Sequence, residues 1–164
     1  MFTKRFQTFF IILAISSIVS SCGFRLKGQY YLPESLQVLY VTADKRFSPL
    51  AKQVKLRLKQ NDVSVIEKDI EGVSELKILP EQFQRRTLSL FPNGQVAEYE
   101  LLYQIKFQLY EPNKDVQEFS VELSREFQDD PTNALAKQKE RELILSELRV
   151  MASDRILMQL NTVQ

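Results

Sequence analysis

Glu98 and Glu100 stand two residues apart in "VAEYELLYQ", a spacing that places two carboxylates on one face of a strand and could serve acid/base chemistry. Few other reacting groups are available. The sequence has no histidine and one cysteine, Cys22. That excludes zinc sites built from Cys or His and triads that depend on His, which leaves a carboxylate pair or a Ser–Lys arrangement. The cations group elsewhere: Lys52, Lys55 and Lys59 recur at helical spacing, Arg85 and Arg86 are adjacent, and Lys137 ends "ALAK". Such groups hold anions or coat a wet surface; they do not by themselves break bonds.

Cys22 directly follows the most apolar stretch, "FFIILAISSIVSSCGF". Lys4 and Arg5 precede it, small residues close it, and the pattern is that of a secretory signal peptide over residues 1–21. The apolar run of about 11 residues is short of the roughly 20 that span a bilayer. "VSSC" resembles the bacterial lipobox, in which the cysteine becomes the new N-terminus and takes an S-diacylglycerol and an N-acyl chain. Each buried CH₂ contributes about 0.8 kcal/mol, so three chains anchor a protein durably. This accounts for a cysteine without a disulfide partner. In such lipoproteins an aspartate after the cysteine favours the inner membrane; Gly23 stands there and favours the outer one.

With 22 Lys+Arg against 21 Asp+Glu, nothing in the charge balance points to nucleic acid. Residues 22–35, with two glycines and a proline after Cys22, read as a lipid-anchored tether, and 36–164 as a single domain. "LQVLYVTA" predicts a buried strand. Ser48-Pro49 predicts a helix N-cap and first residue, and Leu50, Val54 and Leu58 give that helix one apolar stripe, with the three lysines on a solvated face. Ser74–Leu90 reads as a strand disturbed at Pro80, which belongs at an edge or a bulge. Asn93-Gly94 predicts a hairpin. In Val96–Tyr110, Ala97, Tyr99, Leu101, Tyr103, Ile105, Phe107 and Leu109 alternate with polar residues, Leu102 excepted, so one face is packed and the other wet. Glu98 and Glu100 fall on the wet face, which explains them without catalysis. Val116–Phe127 alternates again, and Ala134–Leu160 has helical periodicity. The expected fold is α+β, a two-layer α/β sandwich in β-α-β-β-β-α order: a mixed four-stranded sheet with two helices on one face and a polar open face.

A lipobox followed by "CGFRLKG", the hairpin "FPNGQVAEYEL" and the helix start "NALAKQKE", in this order, resemble the LptE family of lipopolysaccharide-assembly lipoproteins over essentially the whole mature chain. The resemblance implies a non-enzymatic protein with no cofactor beyond the covalent lipid on Cys22. It implies a plug in the lumen of an LptD-type outer-membrane β-barrel, anchored at the periplasmic side of the outer membrane and binding lipopolysaccharide. The family's helix cation maps to Lys137. Its second cation follows the hairpin phenylalanine, where this sequence has Pro92, so Arg85 or Arg86 is expected to substitute. The lysine stripe has a second reading, contact with acidic groups of the barrel wall. Two alternatives stay open: a scaffold lipoprotein for another barrel, and an envelope hydrolase using Glu98 and Glu100.

Overall fold

A computed structural model describes residues 30–45 and 47–163; Cys22 and the signal peptide lie outside the described residues. The elements are β1 (Val38–Ala43), α1 (Pro49–Gln60), β2 (Ser64–Ile66), β3 (Ser74–Ile78), β4 (Gln82–Leu90), β5 (Val96–Tyr110), β6 (Gln117–Gln128) and α2 (Ala134–Leu160). The sheet has six strands in the order β2-β1-β3-β5-β4, with β6 on the other flank of β5. β1 is parallel to both β2 and β3; all other pairs are antiparallel. The class is as expected, α+β with a mixed sheet and two helices, but the count of four strands is corrected to six.

Pro80 accounts for part of that difference. Ile78 pairs with Phe107 and Gln82 with Gln104, so four steps on one strand face three on the other. Proline cannot donate to a ladder and is confined to edges and bulges. Here β3 has just lost β1 as its neighbour, the last pair being Ala43 with Ile78. One continuous run thus becomes β3, central in the sheet, and β4, at an edge. The other extra strand, β2, has three residues and pairs only with Val38–Tyr40.

Local signals set the remaining boundaries. Ser48 Oγ accepts from Ala51 N at 3.1 Å and Pro49 opens α1. Asp62, at φ 61°, leaves the helix in the left-handed region. In the β4–β5 hairpin only Gly94 has positive φ, 83°, while Asn93 works through its side chain, Oδ1 accepting from Gln95 N at 3.1 Å. Before α2, Asp130 Oδ1 accepts from Thr132 N at 2.9 Å and from its hydroxyl at 2.6 Å, and these bonds hold the Asp130 carboxyl below the usual carboxylate range.

One core joins both helices to one face of the sheet: Leu39 and Val41, Leu76 and Ile78, Tyr103 to Leu109 in alternation, and Val121 pack with Leu50, Val54 and Leu58 of α1 and Leu148, Ile156 and Leu160 of α2. Of residues 22–35, Leu32 joins this core, and Tyr30 N donates to Asn61 Oδ1 at 2.7 Å at the end of α1. The opposite face of the sheet has no covering layer among the described residues.

Candidate functional site

Cross-strand register decides which polar side chains meet. On the open face Glu98 accepts from Ser89 Oγ at 2.8 Å and from Gln128 Nε2 at 3.3 Å. Glu100, two residues on, is ion-paired with Arg86. Further along, Gln104 Nε2 donates to Glu122 at 2.7 Å and Gln108 Nε2 to Glu118 at 2.6 Å. The two carboxylates are rungs of this polar ladder. Leu102, the exception to the alternation, lines a shallow hollow of about 300 Å³ with Gln82, Gln84, Gln104, Glu122 and Ser124.

Arg85 and Arg86 are adjacent in a strand and therefore point to opposite faces. Arg85 pairs with Leu101 and shares the helix-side face; Arg86 pairs with Glu100 on the open face. The Arg85 guanidinium sits 5.5 Å from the Tyr99 ring centre, and Lys137 Nζ of α2 sits 5.3 Å from that of Phe127. Tyr99 and Phe127 are direct partners in register, so the two cations rest on neighbouring rings. Cation–π attraction holds each in place while leaving it able to bind an anion. Lys137 also meets Glu140 at 2.9 Å. The structure therefore brings Lys137 and Arg85 together and separates Arg86 from them.

The register also adds a residue that the sequence reading missed. Arg85, Leu101 and Arg125 form one row across β4, β5 and β6. Two strand spacings put Arg125 roughly 10 Å from Arg85. Its Nη2 has Met151 Sδ, a weak acceptor, at 3.5 Å. A signal was present: Phe119, Val121, Leu123 and Phe127 are the apolar positions of the alternation in that strand, so parity makes position 125 an inward cation.

One turn nearer the core, Tyr103 Oη and Arg149 Nε both donate to Glu81 Oε2 at 2.8 Å. Phe83 stacks on Tyr103 at 4.5 Å, and the Arg149 guanidinium covers Phe83 at 5.6 Å. Burial first, then the Glu81 charge, pushes the Tyr103 phenol well above its ordinary range. The network clamps α2 to β4 and β5 beside the three cations. Among the described residues no cluster of carboxylates could hold a metal ion.

A family model described as LptE, lipopolysaccharide-assembly, matches residues 36–160. The chain belongs to the LptE family. The LPS-assembly lipoprotein LptE of Photorhabdus laumondii is 33% identical over 154 residues, covering 93% of this chain and 85% of that protein. The protein of the same name from Pectobacterium atrosepticum is 29% identical over 97% of this chain and 88% of its own length. Among solved structures, the crystal structure of rare lipoprotein B from Shewanella oneidensis is similar at 38% identity and a TM-score of 0.68, over 74% of this chain and 92% of that one. As an LptE-family member the chain is a lipoprotein of lipopolysaccharide assembly, associated with the lipopolysaccharide transport machinery. The family is non-enzymatic and cofactor-free, which removes the hydrolase alternative and agrees with Glu98 and Glu100 as parts of a polar ladder.

Proposed function

We propose that this chain is anchored in the outer membrane through lipid on Cys22, plugs the lumen of an LptD-type β-barrel at the periplasmic side, and binds lipopolysaccharide as it is inserted into the outer leaflet. The observation that carries the reading is the open face of the sheet. A barrel lumen is polar, and the face presented by β4, β5 and β6 is a ladder of Glu, Gln, Ser and Arg side chains with no layer over it among the described residues. β5 is also long enough to run through such a barrel: its 15 residues span about 50 Å at 3.3 Å each, beyond an apolar barrel band of about 25 Å. For the phosphates of lipopolysaccharide, Lys137 and Arg85 on their paired rings supply the first contacts, and Arg125 extends the row. Arg86 serves the open face, where Glu100 already neutralises it.

The test is isolation of the native lipoprotein from detergent-extracted outer membranes. An LptD-type barrel is expected in the eluate, and mass spectrometry of the mature N-terminus is expected to show acylated Cys22; Cys22→Ala should leave the chain unprocessed or soluble. A different barrel in its place would favour a scaffold lipoprotein with another partner, and an unmodified Cys22 would remove the anchor.

A further inference from the structure

A second basic surface lies at the opposite end of the molecule from Lys137 and Arg85. Because β2 stops at the level of Tyr40, a groove of about 1080 Å³ opens between β1 and α1. The charged residues lining it are Lys45, Lys52, Lys55 and Lys59 against a single acid, Glu67. Glu67 reaches Lys55 at 3.7 Å and remains 76% exposed. Lys52, Lys55, Leu56 and Lys59 follow i, i+3, i+4, i+7 spacing along α1, one face of the helix. Large apolar side chains stand out among them, Phe47 at 87% and Leu56 at 49% exposure. Cations interleaved with exposed apolar side chains are the composition of a surface that lies on anionic lipid headgroups.

The tether selects the occupant. Tyr30 is held at Asn61, at the C-terminal end of α1 and two residues beyond Lys59. Eight peptide steps separate Cys22 from Tyr30, and a fully extended chain of that length reaches at most about 29 Å. An anchored Cys22 therefore keeps the lysine face at high effective concentration beside one leaflet. Between Cys22 and Tyr30 the sequence adds Arg25 and Lys27 and contains no acid.

We infer that the lysine face of α1 docks on anionic phospholipid headgroups of the leaflet that holds the Cys22 lipid. The inference rests on the lipid anchor proposed above. The β4–β5 hairpin, at the other end of the long strands, lies outside the docked face.

The full-length lipidated protein is reconstituted into vesicles of phosphatidylcholine alone or mixed with phosphatidylglycerol. It carries a fluorophore on Gln53→Cys in the groove or, as a control, on Asn93→Cys at the hairpin tip, and the lipid headgroups carry a quencher. Phosphatidylglycerol is expected to increase quenching at position 53 and leave position 93 unchanged, and high salt should reverse the gain. Each lysine at an anionic surface favours the docked state about fivefold, so Lys52→Gln, Lys55→Gln and Lys59→Gln together should lower it about a hundredfold. Equal quenching at position 53 in both vesicle types, with the protein still attached to both, would overturn the docking and leave the anchor standing. So would quenching that the triple variant does not change. Failure to attach to neutral vesicles would remove the anchor and this inference with it.

Discussion

At its C-terminal end β5 has β3 on one flank and β6 on the other, and Ile105, Phe107 and Leu109 are completely buried beneath the helices. At its N-terminal end the same strand carries Ala97 and Tyr99 only half-buried, and none of residues Ala134–Glu147 of the overlying α2 is buried. The apolar alternation along β5 runs unbroken through both ends; what differs is what covers it. The proximal end has two helices and five strands, β2, β1, β3, β5 and β6. The distal end has three strands, half a helix, and cations on rings in place of apolar side chains. The first arrangement stabilises the domain, and the second keeps charge available for a ligand.

The contrast can be tested from the largest effect to the smallest. Phe107 is fully buried and stacks on Phe119 at 5.0 Å, so Phe107→Ala should destabilise by about 3–5 kcal/mol in denaturant melts. A loss near zero would mean that the proximal end is not the core.

At the distal end the expected loss is in binding. Lys137→Asp and Arg85→Asp should each weaken lipopolysaccharide binding about tenfold or more, with the melting curve unchanged and the effect shrinking in high salt. Arg125→Asp should weaken it too, whereas Arg86→Asp, on the other face, should not. Titration of the domain lacking residues 1–22 decides this, and equal losses for Arg85 and Arg86 would break the assignment by face.

Between the two ends, Tyr103→Phe removes one hydrogen bond to Glu81 and should cost about 1 kcal/mol at neutral pH. The folded state holds the Tyr103 proton above the phenol's ordinary value, whereas the unfolded chain releases it near pH 10. The stability that follows is complete below about pH 10 and declines as pH rises beyond it, by about 1.4 kcal/mol per pH unit for one proton. The phenylalanine variant should show a shallower alkaline slope. On the open face, Gln104→Ala and Gln108→Ala break only exposed cross-strand bonds and should shift stability within about ±0.5 kcal/mol in the isolated domain.

The alternation of β5, the Ser48-Pro49 cap and the disturbance at Pro80 were all legible as residues. The consequence of Pro80 was not. Before it, Ser74, Leu76 and Ile78 face inward; after it, Phe83, Arg85 and Thr87 share the face of Tyr103, Leu101 and Tyr99. One extra residue exchanges even positions for odd. Without the register of β4 on β5, nothing in "QRRTL" tells which arginine joins Lys137, and although parity turns Arg125 inward, only the register sets it in the row of Arg85. The three-residue β2 is too short to leave a periodic signal, and its pairing with β1 depends on contacts distant in sequence.

Among the described residues β4 and β6 each pair only with β5, so each leaves a long seam of backbone donors and acceptors. Such seams are templates for the strands of other chains. β6 carries Glu118, Glu122 and Glu126, and two copies of it laid in register would set acid against acid; β4 carries Arg85 and Arg86 and no acid, and repels itself in the same way. What the charges permit is the unlike pair, β4 of one copy against β6 of the next. That contact is heterologous, and unless its rotation closes a ring it extends copy by copy into a filament. Crowded on a membrane without a partner, copies are free to pair along these seams, and a surrounding wall that occupies both of them would hold the protein at one subunit.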